Sequence, residues 1–138
     1  MEDEEIAALV AAARAAMANA HAPYSMFPVG AAIHTDSGRV FVGANVENAA
    51  YPQGQCAEAS AIGAMVTAGE RRIRRVVVMG GKAGDGALCT PCGGCRQRLR
   101  EFAAPGVPVH VCGPEGLRRT FTLGELLPHA FGPDGANP

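Results

Sequence analysis

Two cysteines at the start of a predicted helix have a spacing that suits metal or redox chemistry. Cys92 and Cys95 stand three residues apart behind Pro91, in the stretch PCGGCRQR. On a helix, side chains three apart lie about 60° apart around the axis, so both thiols face the same side. The free N–H groups and the dipole of a first helical turn lower the pKa of thiols and make thiolates available. The pair is therefore a candidate for metal ligation or for redox exchange.

A second predicted helix opens with Cys56 and Glu58, in the stretch GQCAEASAIGAMV. If the two helix starts converge, three thiolates hold Zn²⁺ and leave one tetrahedral position open, as in catalytic zinc sites. Glu58 would then be a carboxylate beside a metal-activated water, able to take its proton and deliver it elsewhere. Ideal helical geometry separates residues two apart by about 200°. The prediction therefore requires Cys56 to stand at the very start of its helix, where the backbone direction differs.

Each of these residues alone has a more ordinary interpretation. A C-x-x-C pair also occurs as a redox pair that opens a helix, or as half of a four-cysteine structural zinc site. In the second case Cys89 or Cys112 would supply the fourth ligand; we treat both as structural. Cys56 alone is typical of a small buried residue, and Glu58 alone of a first-turn acid placed for the helix dipole. Only the combination, in this order, is specific.

The elements that must position these residues alternate between helix and strand along the chain. Helical periodicity, β-branched runs and turn residues delimit them. The predicted set is helices over residues 3–20, 56–67 and 92–102, a hairpin over residues 29–48 with its turn at 36–38, strands over residues 74–81 and 107–112, and a short strand followed by a short helix over residues 121–131. This order is typical of a layered α/β domain built on a mixed sheet.

The bulk composition restricts the class of protein. A chain of 138 residues is enough for one domain, residues 1–138, of which we expect residues 132–138 to be a flexible tail. The near balance of 12 basic and 13 acidic residues, with no Trp, argues against a nucleic-acid partner. No apolar run approaches the length of a membrane span, and the acidic start MEDEEIAALV does not resemble a secretory signal. We expect a cytoplasmic protein, in which an odd cysteine count is typical of reduced, metal-binding or catalytic thiols.

Cys-Ala-Glu at one helix start, followed by Pro-Cys-x-x-Cys at another, resembles the signature of the zinc nucleoside and nucleobase deaminases. The chain resembles most the small homotetrameric cytidine deaminases. The stretches FPVGAA, NVENAAYPQGQCAEASAI, PCGGCRQRLREF and ELLPHAFGP look like segments of that family in the same order, and they extend over nearly the whole chain. The resemblance implies a three-layer α/β fold, with a mixed central sheet of about five strands and helices on both faces.

The resemblance also implies the chemistry. One Zn²⁺ per chain would be held by Cys56, Cys92 and Cys95, and Glu58 would shuttle protons. The reaction would be the hydrolytic deamination of cytidine or 2′-deoxycytidine to uridine or 2′-deoxyuridine, with release of ammonia, as in pyrimidine salvage. The partner would thus be a small-molecule nucleoside, with no nucleic acid and no membrane.

Five further residues receive substrate-binding roles from the resemblance alone. Asn45 and Glu47 would hydrogen-bond the ribose, Phe27 would pack on the nucleoside, and the backbone around Ala57 would read the pyrimidine edge. Phe131 would enter the active site of a neighbouring subunit and stack on its base, so that a homotetramer shares its sites. Four of the five have a simpler alternative: core or interface packing for the two phenylalanines, a turn for Asn45 and a solvated loop for Glu47.

The chain departs from the family at one position. Many tetrameric members look like Cys-Ala-Glu-Arg, and that arginine helps to neutralise the thiolates, whereas this chain has Ala59 there. We predict that Arg96, directly after Cys95, compensates together with the helix dipoles.

Several other functions are compatible with parts of the sequence. The most similar one is deamination of another aminopyrimidine compound, such as blasticidin S. From other classes come a non-catalytic zinc module, which would need a fourth cysteine, and a thioredoxin-like protein with a reversible Cys92–Cys95 disulfide. A polynucleotide editor is disfavoured by the balanced charge and the lack of basic or aromatic strand-binding segments.

Overall fold

A computed structural model describes residues 1–133 of the chain. Its elements follow one another as α1 (Glu2–Met17), β1 (Val29–Thr35), β2 (Val40–Ala44), a 3₁₀ turn (Tyr51–Gln53), α2 (Ala57–Thr67), β3 (Ile73–Gly80), α3 (Gly93–Arg100), β4 (Pro108–Gly113), β5 (Gly116–Thr122) and α4 (Leu123–Leu126). The greater part of the tail expected at residues 132–138 lies outside the described residues.

The centre of the fold is a five-stranded mixed sheet in the order β2-β1-β3-β4-β5. The β3–β4 pair is parallel, and the other three pairs are antiparallel. Parallel neighbours need a crossover connection, and α3 with its preceding loop provides it. The run from Val76 to Met79 in β3 is fully buried, as expected of a strand covered on both faces. The predicted mixed sheet is confirmed.

Helices cover both faces of this sheet. Side chains alternate along β3, because successive residues of a strand point to opposite faces. Val76 and Val78 pack in one cluster with residues of α2 and α3, whereas Val77 and Met79 pack in a second cluster with α1. The three-layer α/β arrangement implied by the resemblance is confirmed. Within residues 1–133, no helix has both the length and the apolar character needed to cross a membrane.

A close contact between α2 and β2 fixes where the second helix starts. A Cβ at Gly43 would overlap the carbonyl of Ala57 and the backbone of Ala61. Glycine is the residue that permits a helix backbone to approach a strand this closely. The first turn of α2, which carries the candidate site residues, is therefore held directly on the sheet.

Several predicted boundaries are wrong. Helix α1 ends at Met17 and not at residue 20, and α3 occupies Gly93–Arg100 and not 92–102. The strand predicted near residue 121 begins at Gly116, which adopts a φ of +136°. Its hairpin with β4 was missed because Arg118 and Arg119 interrupt the apolar pattern of β5.

A buried polar cluster links α1 to the sheet. An Nη1 hydrogen of Arg75 is donated to Nε2 of His110 at 2.8 Å, and Nη2 contacts Glu2 at 3.1 Å. Since arginine only donates, Nε2 of His110 must accept, and Nδ1 carries the proton that is donated to Thr120 Oγ1 at 2.8 Å. Burial, together with the charge of Arg75, lowers the pKa of His110 to about 4.

We predict that acid destabilises the fold through this histidine. The unfolded chain takes up a proton near pH 6.5, the ordinary pKa of histidine, whereas the native state does so only near 4. Stability is therefore lost progressively as the pH falls from about 6.5 to about 4, and His110 accounts for about 2 kcal/mol of this loss at pH 5. Urea unfolding at pH 7 and pH 5 measures it.

The matched variants are His110→Gln and His129→Asn. His110→Gln should flatten the pH dependence over this range, because glutamine retains an acceptor for Arg75 but does not titrate. His129 is exposed at a φ of +53°, which asparagine tolerates, so its replacement should leave the dependence unchanged. Equal pH dependence in His110→Gln and the wild type would contradict the assignment.

Candidate active site

Two of the candidate ligands stand immediately before a helix. Cys56 precedes α2 with φ −72° and ψ 156°, and Cys92 precedes α3 with φ −66° and ψ 166°. Both are N-cap residues with extended backbone, so the 200° separation of helical residues two apart does not apply between Cys56 and Glu58. The requirement that Cys56 stand at the very start of its helix is met. For Cys92 the structure corrects the prediction of a helical residue, because the helix begins one residue later.

The two helix starts bring three thiols together. The Sγ atoms of Cys56, Cys92 and Cys95 all lie within 4.8 Å of one another, and those of Cys56 and Cys92 are 3.9 Å apart. Tetrahedral zinc with Zn–S bonds of about 2.3 Å requires sulfur atoms about 3.8 Å apart. Among the described residues, Cys89 and Cys112 stand outside this group. The donor set therefore fits Zn²⁺ with one coordination position left open.

The electrostatics of the three thiols are unequal. Burial raises the pKa of Cys56 and of Cys95, and the negative charge of Glu58 raises both further. The backbone amide of Cys95 holds the pKa of Cys92 below the ordinary thiol value. The three cysteines would therefore have to release their thiol protons on binding a metal ion, as ligand cysteines do.

Glu58 belongs to the same site. Its side chain is only 4% exposed, and its charge acts on each of the three thiols. Burial raises the pKa of Glu58, and the positive charge of Arg98 partly opposes this. A buried carboxyl group with a raised pKa beside a metal site has the character of a group that transfers protons.

Glu47 and Asn45 both hold the segment that precedes β1. Oε1 of Glu47 accepts hydrogen bonds from the amides of Tyr24 at 3.0 Å and Ser25 at 3.1 Å. A hydrogen bond from Ser25 also holds the pKa of Glu47 below its usual value. Asn45 accepts from the amide of Val29 at 2.9 Å, and its Nδ2 donates to the carbonyl of residue 27 at 3.0 Å. Much of the hydrogen-bonding capacity of Asn45 is thus used on the backbone of residues 27 and 29.

An open cavity adjoins Glu47. It has a volume of about 380 Å³ and is lined by Tyr24, Ser25, Glu47, Asn48, Tyr51 and Gly54. Tyr24 and Tyr51 meet edge to face at its wall, with ring centroids 5.9 Å apart. Neither tyrosine was singled out from the sequence, although the second lies within the NVENAAYPQGQCAE stretch.

The two candidate phenylalanines occupy different places. Phe27 is 43% exposed and lies beside Cys89 at the end of β3: a Cβ on Gly80 would meet the Cys89 Sγ at 2.6 Å and a carbon of the Phe27 ring at 3.3 Å. Phe131 is 73% exposed, and its carbonyl accepts a hydrogen bond from Nε2 of Gln97 at 2.9 Å. Its backbone is therefore tied to α3 while its ring is free to contact another molecule.

Arg96 contacts backbone rather than the thiols. It donates to the carbonyl of Pro91 at 2.6 Å, to that of Leu126 at 2.7 Å and to Thr90 Oγ1 at 3.1 Å. The guanidinium that contacts a thiol is that of Arg98, whose Nη1 lies 3.9 Å from Cys95 Sγ. This residue was missed, although the spacing of three from Cys95 placed it on the same helix face.

Comparison with known proteins gives a consistent result. The family model for the cytidine and deoxycytidylate deaminase zinc-binding region matches residues 3–111. The cytidine deaminase of Sporosarcina psychrophila is 36% identical over 127 residues, which are 92% of this chain and 91% of that protein. A cytidine deaminase of Mycobacterium tuberculosis is 42% identical over 119 residues, or 86% of this chain and 84% of that one. The solved cytidine deaminase of Burkholderia pseudomallei superposes with a TM-score of 0.82 at 42% identity, over 91% of this chain and 98% of that one.

The chain belongs to the zinc-dependent cytidine and deoxycytidylate deaminase family. It is an enzyme of that kind, its cofactor is zinc, and its substrate is a small molecule.

We predict that metal content separates the cysteines into two groups. Replacing Cys56, Cys92 or Cys95 with serine should release most of the zinc, because a neutral hydroxyl is a poor substitute for a thiolate ligand. Cys89→Ala and Cys112→Ala are the controls and should keep zinc at the wild-type level. Metal analysis of the purified variants after dialysis against a chelator measures this. Release of zinc from either control would support a four-cysteine structural site instead.

Proposed function

We propose that this chain catalyses the hydrolytic deamination of cytidine and 2′-deoxycytidine, with uridine or 2′-deoxyuridine and ammonia as products. The observation that carries the proposal is the placement of the buried Glu58 against three thiols that fit zinc. The relatives named cytidine deaminase, which match most of the chain, support the same substrate.

The proposed mechanism depends on proton transfer by Glu58. When bound, zinc supplies Lewis acidity, which lowers the pKa of a coordinated water toward about 7. The carboxylate of Glu58 accepts a proton from the attacking water and delivers it to ring N3, so that hydroxide adds to C4. Glu58 then takes the proton of the new C4 hydroxyl and transfers it to the amine, which leaves as ammonia while the C4 carbonyl forms. Burial of the carboxyl supports this cycle, since a raised pKa lets it hold a proton between the two transfers.

Substrate orientation is proposed to depend on Ala57, Glu47, Asn45 and Phe27. The backbone at Ala57 opens α2, where N–H groups lack helical partners, and it is proposed to read the pyrimidine edge. Glu47 lines the cavity formed with Tyr24 and Tyr51 and is proposed to bind the ribose together with Asn45. Phe27 supplies an exposed apolar surface for the nucleoside.

Sharing of sites between subunits is also part of the proposal. A homotetramer is proposed in which Phe131 of one subunit stacks on the base held by another. The exposure of this ring on a backbone tied to α3 supports it. We place the enzyme in the cytosol, where reducing conditions keep ligand thiols available for metal.

Replacement of Glu58 tests the proposed reaction. Glu58→Gln and Glu58→Ala should lower kcat roughly 100- to 10,000-fold, because proton transfer is lost, while zinc content stays at the wild-type level. The loss of near-ultraviolet absorbance on addition of cytidine measures turnover. The control is Glu4→Gln on the exposed side of α1, which should leave turnover unchanged. Zinc in the wild type without turnover of cytidine would contradict the substrate, and full activity of Glu58→Gln would contradict its role.

Glu47→Gln tests the ribose contact. Glutamine retains the oxygen that accepts from the amides of Tyr24 and Ser25, so the segment before β1 should keep its position. The substitution removes the charge and turns the second carboxylate oxygen into a donor. We expect kcat/KM for cytidine to fall roughly tenfold to a hundredfold, the range for a hydrogen bond to a charged group, with little change for free cytosine. An equal fall for both substrates would contradict the contact.

A further inference from the structure

The charge of the metal site is not balanced by its ligands. Three thiolates around Zn²⁺ carry a net charge of −1, and the carboxylate of Glu58 adds to it when ionised. The two helix starts at Cys56 and Cys92 supply partial positive charge, equivalent to about half an elementary charge each. A fixed cation at this point would therefore strengthen metal binding.

Arg98 is placed to provide that cation. Its Nη1 lies 3.9 Å from Cys95 Sγ, one helical turn earlier. A Cβ built on Gly94 would lie 3.1 Å from the same Nη1 and 4.0 Å from Cys92 Sγ. The guanidinium therefore borders Gly94 and contacts the Cys95 thiol, and Cys92 Sγ borders the same glycine. A side chain at this position would press on the guanidinium.

Arg96, the other arginine near Cys95, makes its hydrogen bonds away from the thiols. Its guanidinium, whose five N–H groups have a fixed planar arrangement, donates to the carbonyls of Pro91 and Leu126 and to the hydroxyl of Thr90. The guanidinium of Arg98, in contrast, contacts the thiol of Cys95.

We propose that Arg98 is the positioning residue that balances the thiolate charge and raises the affinity of the site for zinc, in place of the cation that Ala59 does not supply. The inference rests on the zinc-dependent function proposed above, but zinc binding without substrate tests it separately. Arg98 acts through the ligands and does not touch the substrate.

The test compares zinc affinity by competition with a chromophoric chelator. Arg98→Gln should bind zinc roughly tenfold more weakly than the wild type, the lower end of the effect usual for groups that contact metal ligands. Arg98→Lys, which keeps the charge, should recover much of the loss. The control is Arg72→Gln, an equal change of net charge at the opposite end of β3, and it should match the wild type.

Salt distinguishes charge from packing. The screening length falls from about 10 Å at 0.1 M salt to about 3 Å at 1 M, which is shorter than the contact itself. The difference between Arg98→Gln and Arg72→Gln should shrink over this range. Equal affinities of these two variants at low salt would overturn the proposal, as would a loss that is shared by Arg98→Lys and unchanged by salt.

Gly94→Ala supplies an independent perturbation. Its added Cβ would press on the guanidinium of Arg98 while remaining in ordinary contact distance of Cys92 Sγ. It should weaken zinc binding in the wild type and have no effect in Arg98→Gln, because the group it displaces is then absent. Additive effects in the double variant would contradict the proposal. Turnover of cytidine by the wild type is a separate readout, so that a wrong substrate and a wrong role for Arg98 give different results.

Discussion

The convergence of two helix starts on one point is the constraint on which the rest of the site depends. Helix α2 reaches this point because Gly43 lets its first turn lie directly on β2. Helix α3 reaches it because the crossover between the parallel strands β3 and β4 passes over the same face of the sheet. A cysteine on extended backbone immediately precedes each helix. The thiols therefore meet at the two helix N-termini, where the helix dipoles favour negative charge.

Arginine side chains fix the loop that carries Cys92 in place. Arg118, on β5, donates to the carbonyl of Lys82 at 2.6 Å and to the carboxylate of Asp85 at 2.6 Å. Arg96 closes the other end of the loop through the carbonyl of Pro91. A glycine-rich loop loses much conformational entropy on ordering, and these charge-assisted hydrogen bonds offset that cost. The edge strand β5 thus helps to position a metal ligand on a different element.

The sequence predicted the chemistry of this site better than its surroundings. The motifs around Cys56 and Cys92 predicted the three thiols that the structure gathers and the carboxylate of Glu58 beside them, because each motif opens a helix. The roles of Arg96 and Arg98 were not predictable in this way. Which of the two turns toward the thiols is decided by contacts with Leu126 and Gly94, and the first of these is distant in the sequence.

The role of Asn45 was also not predictable from the sequence. A short polar residue after a strand is compatible with a turn, with a loop clamp or with a ligand contact, and the sequence does not distinguish them. Its amide in the structure bridges the backbone of residues 27 and 29, which positions Phe27 whether or not it also binds ribose. The start of β5 was missed for a similar reason, since its polar edge position is set by pairing with β4.

The metal-binding part of the site and the part proposed to bind the nucleoside differ in their burial. The three thiols and Glu58 lie at the starts of helices that pack in the core of one chain. The two rings proposed to contact the nucleoside are exposed, Phe131 by 73% and Phe27 by 43%. The cavity beside Glu47 has the exposed ring of Tyr51 in its wall, at 75%. Assembly of the proposed tetramer would therefore complete substrate binding without altering the metal site, and loss of assembly would act on KM before it acts on zinc content.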